Sequence, residues 1–340
     1  MGITVIGSLN YDLVTYTDRL PFAGETFRAN SFETHAGGKG LNQTIAIAKL
    51  KQAGSDYSVR MVGNVGADSF GHELINLLAA NEVEVSTIKT VEDKSTGVAT
   101  IIVEEMNGGQ NRILLSEGAN GSTVYNSDEL SEIFSKIKEK DIEDDRHFVV
   151  FQHEIPDPCS IMKWLKENYP SFEVIFNPSP CKPLAREYWR NVDVLIINEI
   201  EALQIAQAIF SKEIYDGYKT LVSENFVEGY RKICQEFQQN LISNINDAAV
   251  VVTLGSQGSL YCSKNHKCVG YTPSLKGINV VDTTGAGDTF LGSLVTQLYY
   301  NVRLEDAIKF STKASSLTIQ RKGAAESIPT YSEVAKVVRT

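Results

Sequence analysis

Val280-Val281-Asp282-Thr283-Thr284-Gly285-Ala286-Gly287-Asp288-Thr289-Phe290 reads as an apolar run, a turn of small and hydroxyl residues, and a helix start. Helical spacing follows in Phe290, Leu291, Leu294, Val295 and Leu298. The expected order is therefore a strand ending at Val281, a tight turn, and a helix N-terminus. The first turn of a helix leaves backbone N–H groups unpaired and carries partial positive charge, so small residues there let an anion reach bare backbone. A transferring phosphoryl group is such an anion. Asp288 shares the turn and is placed to take a proton from an alcohol held beside that anion. A loose phosphoryl-transfer transition state asks for position more than for basicity. Read in isolation, the same residues serve equally well as an N-cap and two turn glycines.

A second glycine-rich element lies near the other end of the chain: Ala36-Gly37-Gly38-Lys39-Gly40-Leu41-Asn42-Gln43. It precedes the helical pattern Ile45, Ile47, Ala48, Leu50, which puts Asn42 in a first turn. Lys39 does not mark a P-loop, because the G-x-x-x-x-G-K-[ST] spacing is missing. Together, in this order, the two elements resemble the two signatures of the ribokinase family of carbohydrate kinases, also called the PfkB type. The resemblance runs from Ile3 to about Pro329 and is closest to the fungal branch.

What the resemblance implies is specific. The activity would be ATP-dependent phosphorylation of D-ribose at its 5-hydroxyl, giving D-ribose 5-phosphate; the alternative within the family is a kinase of adenosine, fructose or a related sugar. Sugar would be held by Asn10, Asp12, Gly38, Lys39, Gly40, Asn42 and Glu154, with Asp288 as the base. Backbone N–H groups of Gly285, Ala286 and Gly287 would stabilise the γ-phosphoryl charge. ATP would meet Asn198, Glu201, Thr253, Gly255, Ser256, Gly258, Gly287 and Thr312, and Mg2+ would be ordered through the N-x-x-E element at Asn198 and Glu201. A monovalent cation, K+, would sit among Asp282, Thr284, Thr318, Arg321, Gly323 and Ser327. Without the resemblance, Asn10 and Asp12 are an Asx-turn, Glu154 is a solvated loop acid, Glu201 is an acid at a helix start, and Arg321 is a charged loop residue.

At 340 residues, with 42% hydrophobic and 22% charged residues, the chain suits one large α/β domain, although length alone also permits two. A net charge of −10 argues against nucleic acid or an anionic membrane as the main partner. The five cysteines are odd in number and lack C-x-x-C spacing, which points to reduced thiols and a cytoplasmic setting, with a nuclear presence allowed. No apolar stretch approaches the ~18 residues of a membrane span.

Strand and helix patterns alternate along the chain: Ile3 to Gly7, Val59 to Val65, Phe70 to Ala80, Phe148 to Gln152, Ser160 to Glu167, Phe172 to Phe176, Val194 to Ile197 and Ala248 to Leu254. Such alternation predicts a mostly parallel, doubly wound sheet with helices on both faces, in a single domain over 1–340. Two segments break the rule. Alternating residues in about 13–36 and 95–118, the latter with a hairpin signal at Asn107-Gly108-Gly109, predict a small separate β-sheet. In the family that sheet is a lid over the sugar which also clasps a second subunit, so a homodimer is expected. Ser211 to Asp247 reads as a helical elaboration with spacing at Phe226, Tyr230, Ile233 and Phe237. An NAD-dependent dehydrogenase is disfavoured because no G-x-G-x-x-G follows the first strand. A non-catalytic sugar-binding homologue is disfavoured by the presence of Asp288 and Glu201.

Overall fold

The computed structural model describes residues 2–107, 110–138, 146–245, 247–265 and 268–337. In chain order the strands are β1 (Gly2–Ile6), β2 (Asn10–Thr17), β3 (Ser31–Gly37), β4 (Ser58–Gly66), β5 (Ile88–Val91), β6 (Gly97–Glu104), β7 (Gln110–Ser116), β8 (His147–Gln152), β9 (Glu173–Asn177), β10 (Val194–Asn198), β11 (Ala249–Thr253), β12 (Ser259–Ser263) and β13 (Gly270–Thr272). The helices are α1 (Lys39–Lys49), α2 (Ser69–Ala80), α3 (Ser127–Lys138), α4 (Pro158–Asn168), α5 (Glu199–Ile209), α6 (Lys212–Glu224), α7 (Phe226–Asn240), α8 (Ala286–Tyr299), α9 (Leu304–Thr318) and α10 (Tyr331–Val337).

The main sheet runs β13-β12-β11-β10-β9-β8-β1-β4-β5. From β5 to β11 every neighbouring pair is parallel, and β12 and β13 add an antiparallel edge. Its strands are apolar on both faces, as a sheet covered on both sides requires. In β8, Phe148 and Val150 join the core beneath α1, α8 and α9, while Val149 and Phe151 join the core beneath α4, α5 and α7. From β1 the chain winds one way to β4 and β5; from β8 it winds the other way. The crevice beyond the carboxyl ends of β1 and β8 is thus the switch point, where open α/β sheets bind ligands.

The second sheet has the order β3-β2-β6-β7. It contains the two segments that lacked intervening helices, and it begins where Asn10 leaves the end of β1. The tip of its β6–β7 hairpin, Gly108-Gly109, lies outside the described residues. The face of β7 is open: Ile113, Leu114 and Leu115 are all exposed.

Helices α1 and α8 pack closely. A Cβ added at Gly292 of α8 would stand 2.4 Å from the Ala46 Cβ of α1, so the absence of a side chain there sets the approach. Ten consecutive residues of α8, Asp288 to Gln297, are buried, and a helix buried all round has little freedom to shift against its neighbours.

One expectation needs correction. Val280 and Val281 do not end a strand: the segment after β13 is irregular, and both valines are about half exposed. Among the described residues no strand lies alongside to pair with them, and the backbone N–H groups of Val281 and Asp282 turn to the Ile319 carbonyl at 2.8 and 3.2 Å. The helical elaboration expected after Ser211 is present as α6 and α7. Helix α6 has no buried residue, but α7 buries Tyr230, Ile233, Cys234 and Phe237 against the sheet, each large side chain contributing roughly 1.5–3 kcal/mol. Phe226, the first member of the predicted spacing, is 39% exposed.

Candidate functional site

Asp288 is the third residue of α8, not its cap. The N-cap is Gly285, in the left-handed region at φ 73°, and no side chain caps this helix end. An L-residue at Gly285 would be strained by that φ and would also press a Cβ to 3.1 Å from the Ala324 Cα. Of the backbone donors expected to face an anion, the Ala286 N–H is loosely engaged by the Thr283 carbonyl at 3.3 Å. Ala286 and Gly287 line a cleft, and Asp288, buried, turns its carboxylate toward α1.

There Asn42 Nδ2 donates to Asp288 Oδ2 at 3.2 Å, and Gln43 Nε2 donates to Asp288 Oδ1 at 3.0 Å. Gln43 is itself held, since its Oε1 accepts Gln152 Nε2–H at 2.6 Å and its Nε2 also reaches Asn177 Oδ1 at 3.2 Å. Asn42 Oδ1 is buried with no hydrogen-bond partner. A buried orphan acceptor next to an acid suits a ligand hydroxyl.

The remaining sugar-site candidates converge on the same crevice. Glu154, just past β8, accepts from Ser8 Oγ at 2.5 Å and from the Lys39 backbone N–H at 2.9 Å. Gly38 caps α1, and Gly40 follows Lys39 into it. Burial pulls the Lys39 ammonium down in pKa, but the opposing charges of Asp288, Glu154 and Glu201 outweigh it and leave it raised. Asp12, on β2, has its carboxyl pushed up to about 6, chiefly by burial and then by Glu154, with His35 opposing. Asn10 is 4% exposed and begins the same strand.

On the other side of the α8 turn lies the cleft of about 510 Å³. Asn198, Thr253, Gly255, Ser256, Gly258, Gly287 and Thr312 line it, and Leu275, Ile278, Val280, Phe290 and Ile319 give it an apolar wall suited to a flat base. Asn198 and Thr253 are register partners on β10 and β11. Glu201, the eighth candidate for this set, stands back from the lining. It forms a capping box with Asn198, bonds of 2.8 and 2.9 Å running in both directions. The helix-start reading of N-x-x-E is therefore physically present. Burial raises the Glu201 carboxyl against the Asn198 and Ser179 hydrogen bonds and the Lys39 charge.

The cation candidates also gather. Asp282 Oδ1 accepts from the Thr284 N–H and Oγ1–H at 2.9 and 2.7 Å, and Asp282 Oδ2 accepts the Gly323 N–H at 3.0 Å. These bonds, opposing burial, hold Asp282 below the usual carboxylate range. Ser327 Oγ bonds the Ala324 carbonyl at 2.7 Å, while Thr318 Oγ1 is committed to Thr289 at 2.9 Å, leaving the Thr318 carbonyl as its candidate oxygen. The Arg321 guanidinium pairs with Glu333 at 2.6 Å, away from the turn. The donors here are oxygens, which suits a hard cation. Among the described residues no group of three His, Cys, Asp or Glu is placed to hold a metal. His153 is buried, its pKa lowered to about 4 by burial and Lys182, consistent with a structural role.

Sequence reasoning missed Ser8, Gln43, Asn120, Gln152 and Asn177. Gln43 was signalled by its place directly after Asn42; the others sit at strand ends or in a short turn with no local pattern to mark them.

Comparisons with known proteins bear on the family and the fold. The model for "pfkB family carbohydrate kinase" matches residues 2–331. Ribokinase of Schizosaccharomyces pombe is 37% identical over 98% of this chain and 96% of its own length, and ribokinase of Lactococcus lactis is 33% identical over 98% and 95%. Among solved structures, ribokinase from Cryptococcus neoformans in complex with ADP superposes with a TM-score of 0.80 at 28% identity, covering 98% of this chain and 99% of that one. Arabidopsis thaliana ribokinase complexed with ribose and ATP gives 0.77 at 28% identity, covering 100% and 99%.

Proposed function

Because the chain belongs to the pfkB family of carbohydrate kinases, we propose that its two half-sites form one centre that transfers the γ-phosphoryl of ATP to the 5-hydroxyl of D-ribose. The observation that carries this reading is the α8 turn. Ala286 and Gly287 face the nucleotide cleft, and the next residue, Asp288, faces the polar crevice holding Asn42, Lys39 and Glu154. One turn thus serves both substrates.

Ribose occupies the crevice, with Asp12 and Glu154 accepting from hydroxyls and the orphan Asn42 Oδ1 taking another. Asp288 accepts the proton of the 5-hydroxyl, oriented by the two amides that hold its oxygens. The uncapped end of α8 and the Lys39 ammonium stabilise charge on the transferring group. Mg2+, when bound, neutralises phosphate charge, and Glu201 with Asn198 stands where it would order the ion through water. K+ would be held by Asp282, the Thr284 segment, the Thr318, Arg321 and Gly323 carbonyls and the Ser327 side, stiffening the turn from behind.

The chain acts as a homodimer in this reading. Ile113 and Leu115 of β7, exposed on the face of the lid that carries Asp12, offer an apolar surface that a second lid would cover, while Leu114 and Phe32 are exposed on the opposite face. One domain spans 1–340, and five free thiols suit a reducing cytoplasm. No helix among the described residues is long and apolar enough to cross a membrane.

The test is an ADP-release assay with ATP, Mg2+ and a panel of pentoses, hexoses and adenosine, with and without K+. Ribose turnover far above the others is expected; turnover with adenosine or fructose but not ribose would overturn the assignment.

A further inference from the structure

We propose that Asn120 is a positioning residue for sugar recognition: it fixes the side-chain amide of Asn10 so that Asn10 meets the sugar with its N–H group rather than its oxygen. This rests on the reading that Asn10 contacts the sugar.

Asn120 sits in the short 3-10 turn Gly118–Ser122 that follows the lid strand β7, and it is 2% exposed. Its Oδ1 accepts the Leu9 backbone N–H at 2.9 Å, and its Nδ2 donates to the Leu9 carbonyl at 3.0 Å. A side-chain amide bonded to both backbone groups of one residue has its oxygen and nitrogen ends decided, because the reverse placement would set donor against donor and acceptor against acceptor. The second N–H of Asn120 Nδ2 then points at Asn10 Oδ1, 2.7 Å away. Asn10 Oδ1 is thereby held toward Asn120, and the end of the amide turned away from Asn120 toward a ligand is Nδ2.

Gly97 supports the same arrangement from behind. A Cβ there would fall 2.2 Å from Asn120 Nδ2 and 2.3 Å from Asn10 Oδ1, so any side chain at 97 would part the two amides. Gly97 is the first residue of β6 and is paired in register with Asn10 of β2. The lid sheet, the turn after it and the end of β1 therefore meet at one buried contact whose effect is to choose which end of Asn10 is presented. The crevice already holds acceptors in Asp12, Glu154 and Asn42 Oδ1. A fixed donor gives a hydroxyl oxygen a partner that those groups cannot supply.

The test compares wild type, Asn10→Ala, Asn120→Ala and Asn120→Asp by calorimetric binding of ribose, monodeoxyriboses and monofluoro-deoxyriboses, with thermal melting and the KM of both substrates. Asn10→Ala and both Asn120 variants are expected to weaken ribose binding about tenfold or more, while the KM for ATP of the Asn120 variants stays within about twofold. The carbon facing Asn10 is the one whose deoxy sugar loses affinity in wild type but not in Asn10→Ala. At that carbon fluorine accepts a hydrogen bond and cannot donate one, so wild type should bind the fluoro sugar more tightly than the deoxy sugar. In Asn120→Asp the carboxylate repels Asn10 Oδ1 and turns the amide round, so this margin should vanish. Unchanged ribose binding in Asn10→Ala would overturn the reading of Asn10 as a sugar contact. Weakened binding in Asn10→Ala with unchanged binding in folded Asn120 variants would overturn the role of Asn120 alone. If the Asn120 variants do not fold, the wild-type comparison decides: a fluoro sugar no better than the deoxy sugar overturns the donor assignment.

Discussion

Gln43 Nε2 stands 3.0 Å from Asp288 Oδ1, and the Gln43 amide cannot turn over, because the same Nε2 also faces Asn177 Oδ1 at 3.2 Å, and Asn177 is itself oriented by donation from its Nδ2 to the Ile196 carbonyl at 2.9 Å. Donation to the carboxylate is therefore built in. Replacing Gln43, fully buried, with leucine keeps the volume and removes the donor. A hydrogen bond to a charged group is worth roughly 1.5–3 kcal/mol, so Gln43→Leu is expected to lower kcat by about 10- to 100-fold. Ribose affinity measured by calorimetry should change much less, and equal losses in both would show that Gln43 only shapes the pocket.

Asp288→Asn keeps the shape of the side chain and removes the proton acceptor. Turnover should fall by about a thousandfold, with ribose binding largely retained. Near-native turnover in this variant would take Asp288 out of the chemistry.

Asp12 makes the site sensitive to pH. Its folded pKa of about 6 lies above the ordinary 3.8, so the folded protein holds this proton more tightly than the unfolded chain does. The associated stability is complete below about pH 4 and is lost as pH rises through 6. Asp12→Asn, which cannot ionise, should thus melt higher than wild type at pH 7.5, by roughly 3 kcal/mol of added stability, and no higher at pH 4. Wild-type ribose affinity should weaken as pH falls below 6, because the protonated carboxyl offers fewer acceptors. A flat affinity between pH 5 and 8 would exclude Asp12 as an ionised contact.

Asp282 ties Thr284 to Gly323 through three hydrogen bonds. On the proposal that K+ is held there and raises kcat, Asp282→Ala should release the loop and abolish that effect, with little change in the KM for ribose. The check is a K+ titration at saturating substrates; an undiminished K+ response in the variant would place the ion elsewhere.

The sheet was legible because its strands are short apolar runs separated by helical spacing, a pattern that follows from covering both faces. The lid was legible for the opposite reason, as strands with no helix between them. Val280 and Val281 misled because two β-branched residues beside a turn look like a strand, whereas Val280 lines a cleft and the Val281 N–H turns to the Ile319 carbonyl. The reacting residues stood out where they sat inside glycine motifs, as Asn42 and Asp288 do. Asn120, Gln152 and Asn177 did not, since their roles come from contacts across long sequence separations: Asn120 meets Asn10 across 110 positions and Gln152 meets Gln43 across 109. No local pattern records such a pairing. Glu201 shows an ambiguity that sequence could not resolve, because the N-x-x-E pattern that the resemblance assigns to nucleotide binding is also a capping box that starts α5.

The tight seat of Gly292 against Ala46 bears on how such an enzyme can change over time. Asp288, the proposed base, and the Asn42 and Gln43 amides that hold it ride on two helices clamped together at that point, whereas Asn10 and Asp12 ride on a strand of a different sheet. Substitutions in the lid can retune which polyol is accepted without disturbing the reaction centre, while a bulkier residue at 292 would spread the clamp and impair every substrate alike. Diversification of preference is thereby channelled to one part of the molecule and insulated from the other.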